Sequence, residues 1–498
     1  MKYIIQCLLV AGLSLFLFSG CIDDESKGAY IPLSEIELKT EQDTFYVDYG
    51  SVAVIPTPEV IQTIKDKGLK YEWRASHIDR SGGSVVTDSL KYISFDPELQ
   101  YVFPRLGEFR VRLRVSNGDV SVMHDYRVFV QTPFIEGLFV LSADGEGKGR
   151  TSFLRTRQES DIWKGSEYEF KTHAVEAVNP EISLKDPTDV NVGGNGMLFL
   201  SCSEIQKIYL LDNKTFDLLY VFDMKQELPW MKPVAVLTAH KKGGSNSANE
   251  YFLVSDHGSG AVLVPRDYMI YEEPKYFPSG AVYDKWCVYA SDSWGTAYCY
   301  FVDRGQARID YTAAIWGGAM IENYNSGTVF EGTHILNLTV DERIALWTVT
   351  LDKSDPSKVK ITKFNDCTYP AGVFNGPEEL EYEASGPLTL NDQSDMVMAH
   401  KDFGVCFYNN GSELYRWKYM EAGVIQKLPT ESVLSADGEI TCIELSTDRL
   451  FLYIGVWNSR ESAELKGSVL IYDVMKQKVV KTYPNVADKP VKVFYKYS

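Results

Sequence analysis

Cys21 is the residue of this chain whose surroundings point most directly to a chemical reaction. It follows Leu17-Phe18-Ser19-Gly20, and the apolar stretch from Ile4 to Phe18 is shorter than the ~20 residues that span a bilayer. Small residues before a cysteine at the end of such a stretch predict cleavage by a signal peptidase and acylation of the thiol. We therefore expect residues 1–20 to be a signal peptide and the mature chain to begin at a lipid-bearing Cys21. The alternative is an ordinary signal peptide with an incidental cysteine.

Three acidic residues follow this cysteine at once, namely Asp23, Asp24 and Glu25. They resemble the acidic export signal with which Bacteroidota send lipoproteins to the outer face of the outer membrane. A solvated charge run at a flexible terminus is the alternative. The first interpretation predicts a protein anchored in the outer membrane by its lipid and facing the cell exterior.

Motifs of known catalytic or metal sites are not found in the sequence. Asp256-His257-Gly258-Ser259-Gly260 holds the residue types of a hydrolase triad, but triad members normally come from distant segments. The glycine-rich run from Asp144 to Arg150 precedes a strand, whereas a phosphate cradle precedes a helix. We predict turns at both places, no metal and no cofactor. Among 68 acidic residues, no spacing singles out the carboxylate pair of a glycosidase.

The chain has eight cysteines, and six remain once Cys7 of the signal segment and the acylated Cys21 are set aside. The six show no metal-ligand spacing, so buried thiols are the default expectation. One pair stands apart. A hairpin turning about Ser293 would place Cys287 opposite Cys299, and opposition across two strands allows the Cα separation of a disulfide.

Length and composition restrict the class of protein. The chain has 498 residues, a formal net charge of −18 and 31 Tyr, 24 Phe and 9 Trp. The aromatic content favours β structure, and the length favours more than one domain. A strongly acidic surface repels phosphate backbones, so nucleic acid is excluded as a partner. The lipid would be the only membrane anchor, because no apolar run after residue 20 is long enough for a span.

The first folded domain is predicted over residues 41–132, after a polar tether over residues 21–40. Phe109 to Val115 alternates apolar residues with arginine, which is typical of a strand with one buried face. Asn117-Gly118 is a hairpin turn signal, and Trp73 is placed in the core between two sheets. The pattern predicts an Ig-like β-sandwich.

The rest of the chain, residues 134–498, shows a loose repeat of apolar strands that are each followed by a hairpin. Seven such strands recur at about 52 residues, close to the ~40 to 50 residues of a four-stranded propeller blade. We predict an all-β chain whose second domain is a seven-bladed β-propeller, closed by pairing of Val491–Tyr495 with Leu138–Leu141. Six or eight blades would also fit, and a second sandwich plus a barrel is the competing architecture. The seven strands begin at Gly137, Met197, Tyr251, Trp286, His334, Met396 and Leu450.

Loops between propeller strands are the predicted binding residues. Aromatic groups beside small polar groups suit recognition of a sugar or a peptide. The alternative for each tryptophan is packing between blades. The candidate ligand-binding residues are Asp292, Trp294, Trp316, Tyr324 and Trp457.

The strand Tyr71-Glu72-Trp73, followed by the alternation from Gly107 to Val115, resembles the PKD type of Ig-like sandwich. Arg74-Ala75-Ser76-His77 stands where the best-known PKD domains have Asp-Phe-Gly-Asp-Gly, so the chain is similar to a divergent PKD-like branch. With the lipid and export signals, the whole chain resembles the PKD-like family lipoproteins of Bacteroidota.

That resemblance implies a non-catalytic accessory subunit of an outer-membrane nutrient importer. The implied partners are a SusC-like TonB-dependent transporter, its SusD-like lipoprotein and another small lipoprotein. The implied cargo is oligopeptide, somewhat ahead of glycan. Two alternatives stay open, a purely structural lipoprotein that organises the complex and a surface hydrolase or lyase that uses channel carboxylates.

Overall fold

The computed structural model of the chain describes residues 32–65, 67–79, 85–156, 169–193, 196–237, 251–256, 261–264, 268–271, 283–290, 297–303, 305–314, 324–340, 345–355, 358–364, 378–383, 388–391, 393–400, 404–421 and 424–497. The chain divides into two compact units, with the boundary between Gln131 and Thr132. Within the described ranges, no helix is long and apolar enough to cross a membrane.

The first unit is a β-sandwich. Its strands are β1 (Ile36–Lys39), β2 (Thr44–Asp48), β3 (Val52–Ile55), β4 (Glu59–Gln62), β5 (Lys70–Asp79), β6 (Val86–Thr87), β7 (Lys91–Ser94), β8 (Leu99–Val102), β9 (Gly107–Ser116) and β10 (Ser121–Gln131). The largest sheet has the order β2-β10-β9-β5-β6, with β7 also paired to β5. The pairs β1–β4 and β3–β8 form two smaller sheets.

Trp73 lies in the core of this sandwich, as predicted. Its side chain is fully buried, and its Nε1 donates a hydrogen bond to the carbonyl oxygen of Asp96 at 2.8 Å. The hairpin turn between β9 and β10 is also confirmed. Gly118 has a φ of +91°, and Asn117 Oδ1 accepts a hydrogen bond from the N–H of Asp119 at 3.1 Å.

The predicted tether, residues 21–40, is too long at its C-terminal end. Residues 36–39 form β1, which pairs antiparallel with β4. The cause is a short alternation of apolar and polar residues, since Ile36 is buried and Leu38 packs against the sandwich core. Four residues are enough for a strand when a partner strand is available.

The second unit is a seven-bladed β-propeller. Within the described residues it has seven four-stranded sheets, and each is one blade. Blade 1 contains β11 (Gly137–Ala143), β12 (Gly149–Arg155) and β13 (Lys171–Thr172); blade 2 contains β14 (Pro187–Val192), β15 (Met197–Cys202), β16 (Lys207–Asp212) and β17 (Leu218–Asp223); blade 3 contains β18 (Pro233–Leu237), β19 (Tyr251–Ser255), β20 (Ala261–Val264) and β21 (Met269–Tyr271). Two short helices, α1 (Ala174–Val178) and α2 (Met224–Glu227), lie between strands.

The later blades follow the same plan. Blade 4 contains β22 (Tyr283–Ala290), β23 (Ala297–Asp303), β24 (Arg308–Ala314) and β25 (Tyr324–Asn325); blade 5 contains β26 (Thr333–Val340), β27 (Leu346–Asp352), β28 (Lys358–Phe364) and β29 (Glu378–Glu383); blade 6 contains β30 (Met396–His400), β31 (Val405–Asn410), β32 (Glu413–Lys418), a hairpin of β33 (Met420–Glu421) and β34 (Val424–Ile425), and β35 (Leu434–Ser435); blade 7 contains β36 (Glu439–Leu445), β37 (Phe451–Trp457), β38 (Gly467–Asp473) and β39 (Lys478–Ala487). The last strand, β40 (Lys489–Lys496), returns to blade 1.

The predicted closure of the ring is confirmed. β40 pairs antiparallel with β11 and becomes the inner strand of blade 1, with Leu138 opposite Tyr495 and Leu141 opposite Lys492. Besides apolar residues, the seam contains Ser142, Lys492 and the buried amine of Lys496. Lys496 Nζ donates to the carbonyl oxygen of Ile135 at 2.7 Å, and burial lowers the pKa of Lys496 to about 7.

The seven predicted apolar strands fall in seven different blades, which is why the blade count is right. In blades 1, 2, 3 and 7, however, they are the second strand from the inside, and β40, β14, β18 and β36 lie further in. These inner strands carry proline and polar residues, among them Pro187, Pro233 and Pro490. One edge of each inner strand has no neighbouring strand, and an edge tolerates proline because no ladder hydrogen bond is lost there.

Candidate functional site

Most of the residues predicted to bind or to carry a modification lie outside the described residues. They are Cys21, Asp23, Asp24, Glu25, Asp292, Trp294 and Trp316. His257 to Gly260 of the hydrolase-like cluster also lie outside, and Tyr324 is described only as the first residue of β25. The glycine-rich run after β11 is the predicted turn, because Asp144 Oδ1 accepts hydrogen bonds from the N–H groups of Glu146 and Lys148.

Trp457 is the one predicted contact residue whose side chain the structure describes. It ends β37, is partly exposed and pairs with Glu439, the first residue of β36. The ammonium of Lys489, the first residue of β40, lies 5.0 Å from the centre of its ring. Trp457 therefore lies at the end of the propeller where these two inner strands begin. Its role in ligand binding stays a prediction.

The predicted disulfide between Cys287 and Cys299 is wrong. β22 and β23 pair with Val288 opposite Cys299 and with Cys287 opposite Tyr300. The register is one residue away from the predicted one, and neighbouring positions of a strand belong to opposite faces of the sheet. Cys299 is a buried thiol.

A polar cluster on the inner strands is the candidate functional site. Lys492 of β40 places its Nζ 2.9 Å from Asp189 Oδ1 and 2.6 Å from Asn191 Oδ1, both on β14. Asn191 in turn donates from Nδ2 to Asp189 Oδ2 and, at 2.9 Å, to the carbonyl oxygen of Val236 on β18. Three consecutive blades are thus linked across the innermost edge of the ring. We call Asp189, Asn191 and Lys492, together with Glu444, the channel cluster.

Glu444 reaches the same place from β36 in blade 7. Burial raises the pKa of its carboxyl, and the positive charge of Lys492 partly opposes that rise. Burial alone would lower the pKa of Lys492, but the charges of Asp189 and Glu444 outweigh it, so the pKa of this ammonium is raised. The cluster therefore holds one ammonium between two carboxyl groups.

Water reaches the channel cluster, although it lies at the centre of the ring. The side chains of Lys492 and Asp189 are 22% and 13% exposed, and Glu444 is partly exposed as well. By contrast, the neighbouring Val190 and Val493 on the same two strands are buried between blades. The exposure of these polar side chains beside the buried valines of the same strands indicates that they face a solvent-filled channel, and pre-formed polar groups in such a channel can bind a ligand.

Three of the cysteines that the structure describes are poor nucleophiles. Burial raises the pKa of both Cys202 and Cys442 to about 12 and raises that of Cys406 still further. A nucleophilic cysteine needs a lowered pKa so that thiolate is present at neutral pH. Within the described ranges, no group of three or more His, Cys, Asp or Glu side chains could hold a metal ion.

Sequence reasoning missed the channel cluster. Asp189 and Lys492 are separated by 303 positions, so no local spacing links them. A weaker signal was available, because Lys492 interrupts Val491 and Val493 in the strand predicted to close the ring. A charged residue in an inner strand faces either a neighbouring blade or the channel, and both positions require a partner.

Comparison with known proteins gives similarity of fold only. No protein-family model and no curated protein matches the chain. A quinoprotein alcohol dehydrogenase-like protein from Bacteroides thetaiotaomicron matches with 13% identity and a TM-score of 0.48, over 94% of this chain and 100% of that one. A protein of unknown function from Bacteroides caccae matches with 12% identity and a TM-score of 0.34, over 63% of this chain and 100% of that one. Apo AztD from Citrobacter koseri matches with 10% identity and a TM-score of 0.37, over 71% and 84% of the two chains.

These similarities carry no functional argument. The propeller architecture rests instead on the seven four-stranded sheets and on the pairing of β40 with β11. A propeller is a scaffold for many unrelated functions, so function has to be argued from the site.

Proposed function

We propose that the protein is a surface-exposed lipoprotein that binds oligopeptide in its propeller channel and serves as a non-catalytic accessory subunit of a SusC/SusD-type outer-membrane importer. The observation that carries the binding role is the carboxylate of Glu444. It lies beside Lys492 and, among the described residues, no side chain or backbone group gives it a hydrogen bond. A partly buried carboxylate without a donor is a site that a ligand donor can complete.

The geometry of Lys492 supports binding over catalysis. A lysine that acts as a base or nucleophile needs a lowered pKa and a free lone pair. Lys492 instead has a raised pKa and donates to both Asp189 and Asn191. The channel cluster therefore offers carboxyl and amide acceptors and one ammonium that hydrogen bonds hold in place.

Oligopeptide is the favoured cargo because the open group is a carboxyl, and an arriving ammonium favours the ionised form of a carboxyl. The ammonium at a peptide's amino terminus, or that of a lysine side chain, can donate to Glu444 while Asp189 stays paired with Lys492. A glycan hydroxyl can also donate to Glu444, but this hydrogen bond is weaker because the donor carries no charge. Glycan is therefore the second choice of cargo for this channel.

Replacing Glu444 by Gln is expected to weaken the binding of a short peptide with a free amino terminus by at least about 10-fold, because a hydrogen bond between charged groups contributes ~1.5 to 3 kcal/mol. The measurement is titration calorimetry of the full mature chain with tetra-alanine and with N-acetylated tetra-alanine. The acetylated peptide should show the same loss with the unchanged protein. Glu431→Gln, at an exposed residue between β34 and β35, is the matched control and should bind as the unchanged protein does.

Other outcomes would contradict this proposal in distinct ways. Cleavage of the peptide at an enzymatic rate would make the protein a hydrolase that uses its channel carboxylates. No binding of peptide or glycan, with an intact complex of the transporter and its SusD-like partner, would make it a purely structural lipoprotein.

Replacing Cys21 by Ala is expected to move the protein from the membrane fraction to the soluble fraction, because the lipid on this residue is the predicted anchor. The measurement is fractionation of cells that lack the transporter, with Cys202→Ala, at a buried thiol, as the control that should stay in the membrane.

A second arm of this experiment tests the export signal and replaces Asp23, Asp24 and Glu25 together by Ala. That variant should stay in the membrane but resist protease added to whole cells. Retention of Cys21→Ala in the membrane, or unchanged surface digestion of the triple variant, would contradict the respective signal.

A further inference from the structure

A cavity of about 500 Å³ opens in the β-sandwich. Its two walls are residues 40–42 of the loop between β1 and β2 and residues 56–58, which form the loop between β3 and β4. Its floor is formed by Phe45, Ile55 and Tyr126. The volume falls within the ~300 to 1,000 Å³ of small-molecule sites in proteins.

Both walls are rigid. In the second loop, Pro56 and Pro58 flank Thr57, and each proline ring fixes its own φ. In the first loop, Asp43 Oδ1 accepts a hydrogen bond from Thr40 Oγ1 at 2.9 Å and lies 2.7 Å from His124 Nε2. The cavity is therefore formed before any ligand arrives, which lowers the entropy lost on binding.

Tyr126 supplies a polar atom to this cavity. The residue is 2% exposed and lines the floor, yet its hydroxyl has no hydrogen-bond partner among the described residues. Burial and the nearby charge of Asp43 raise the pKa of Tyr126 to about 12, so the hydroxyl is protonated at neutral pH. The hydroxyl oxygen itself is accessible from the cavity, so water can bond to it, and a ligand oxygen can take the place of that water.

The lining also indicates the chemical class of ligand. Lys39 and Glu59 stand opposite each other where β1 pairs with β4, so the rim has charges of both signs. The lining also combines the hydroxyl-bearing Thr40 and Thr57 with the apolar Pro56, Pro58 and Phe45. A sugar ring combines hydroxyl edges with apolar C–H faces and carries no charge. It matches this mixture better than an ion or a fully apolar molecule does.

We propose that this sandwich cavity is a second binding site, which takes one or two rings of a neutral saccharide. The Tyr126 hydroxyl donates to a ring or hydroxyl oxygen, and the flanking prolines and Phe45 contact the C–H face. The site is independent of the peptide role proposed for the channel. A protein with both sites would hold a glycan through its first unit and a peptide through its second.

The test is titration of the full mature chain with maltose, cellobiose, lactose and diacetylchitobiose. At least one of these disaccharides is expected to bind, and Tyr126→Phe should weaken that binding by about 3- to 10-fold, the effect of one neutral hydrogen bond. The ring stays in place in this variant, so the melting temperature should not change. Tyr71→Phe, at a partly buried tyrosine of the same core that does not line the cavity, is the matched control and should bind normally.

Three results would overturn the saccharide site. One is the absence of binding by all four disaccharides at about 10 mM, well above the Kd of a weak site. Another is undiminished saccharide binding by Tyr126→Phe. The third is binding of tri-alanine, weakened by Tyr126→Phe, without binding of any saccharide, which would assign the cavity to peptide. Because Glu444→Gln should leave saccharide binding unchanged, failure here is distinguishable from failure of the channel proposal.

Discussion

Deleting residues 489–498 is expected to open the propeller and yield a protein that aggregates on expression. This removes β40, whose Val491, Val493 and Phe494 are buried or packed against the cores of the seam. Each such side chain contributes ~1.5 to 3 kcal/mol on burial. The sum is comparable with the ~5 to 15 kcal/mol that stabilises a typical domain. β11, with its buried apolar residues, becomes an exposed sheet edge, and such edges pair with other chains.

The measurements for this truncation are the soluble fraction after expression and the melting temperature of any soluble protein. A shorter deletion that ends the chain after Lys496 is the control. It keeps β40 and removes only the tail, including the carbonyl of Tyr497 that accepts a hydrogen bond from Asn213 at 3.0 Å. The control should stay soluble. A soluble protein with an unchanged melting temperature after the longer deletion would refute closure by β40.

Replacing Asp189 by Ala is expected to lower the free energy of unfolding by about 2 to 3 kcal/mol. Lys492 would keep its charge in the channel with only Asn191 as a hydrogen-bond acceptor. Breaking a fully buried ion pair by removing one partner costs ~3 to 5 kcal/mol, and the partial exposure of this pair reduces that figure. The measurement is denaturant unfolding of the mature chain.

A double variant and a control at an exposed ion pair test whether the loss of stability comes from the unpaired charge of Lys492. Asp189→Leu combined with Lys492→Met should lose less stability than Asp189→Ala alone, because no unpaired ammonium is left in the channel and the Glu444 carboxyl, whose pKa burial already raises, can take up a proton. Glu439→Ala is the matched control. It breaks the ion pair to Lys489 between β36 and β40, whose side chains are 48% and 46% exposed. An exposed pair contributes ~0 to 1 kcal/mol. If Asp189→Ala and Glu439→Ala lowered the free energy of unfolding equally, the channel cluster would stabilise the protein no more than an exposed ion pair does.

The sequence by itself predicted the kind of repeating unit and favoured seven of them over six or eight. An apolar strand needs a buried environment wherever it is placed, so one such strand per blade led to the prediction of seven blades. Trp73 and the Asn117-Gly118 turn were predictable for a similar reason, since both depend on local geometry and on burial of a large side chain. The closing strand was also predictable, because a ring of sheets has to pair its two ends to remove its open edges.

Register was not determined by the sequence. In the hairpin between β22 and β23, Cys299 lies opposite Val288. A hairpin symmetric about Ser293 would have placed Cys299 opposite Cys287, one position away. A strand pair can shift by one residue without losing hydrogen bonds, while every side chain changes face. The packing of neighbouring blades on both faces of the sheet selects the register. The spacing of the two cysteines along the chain does not depend on that packing and so could not predict it.

Only the tertiary structure decided where the polar groups of the channel meet. Asp189 and Lys492 lie on strands that are far apart in the chain and become neighbours because β40 closes the ring beside β14. The strand of Asp189, β14, lacks the strong apolar run by which strands are recognised, since one of its edges faces the channel. The features that make Asp189 and Asn191 available to a ligand, namely polar side chains on an unpaired inner edge, are the same ones that hide β14 from a sequence pattern.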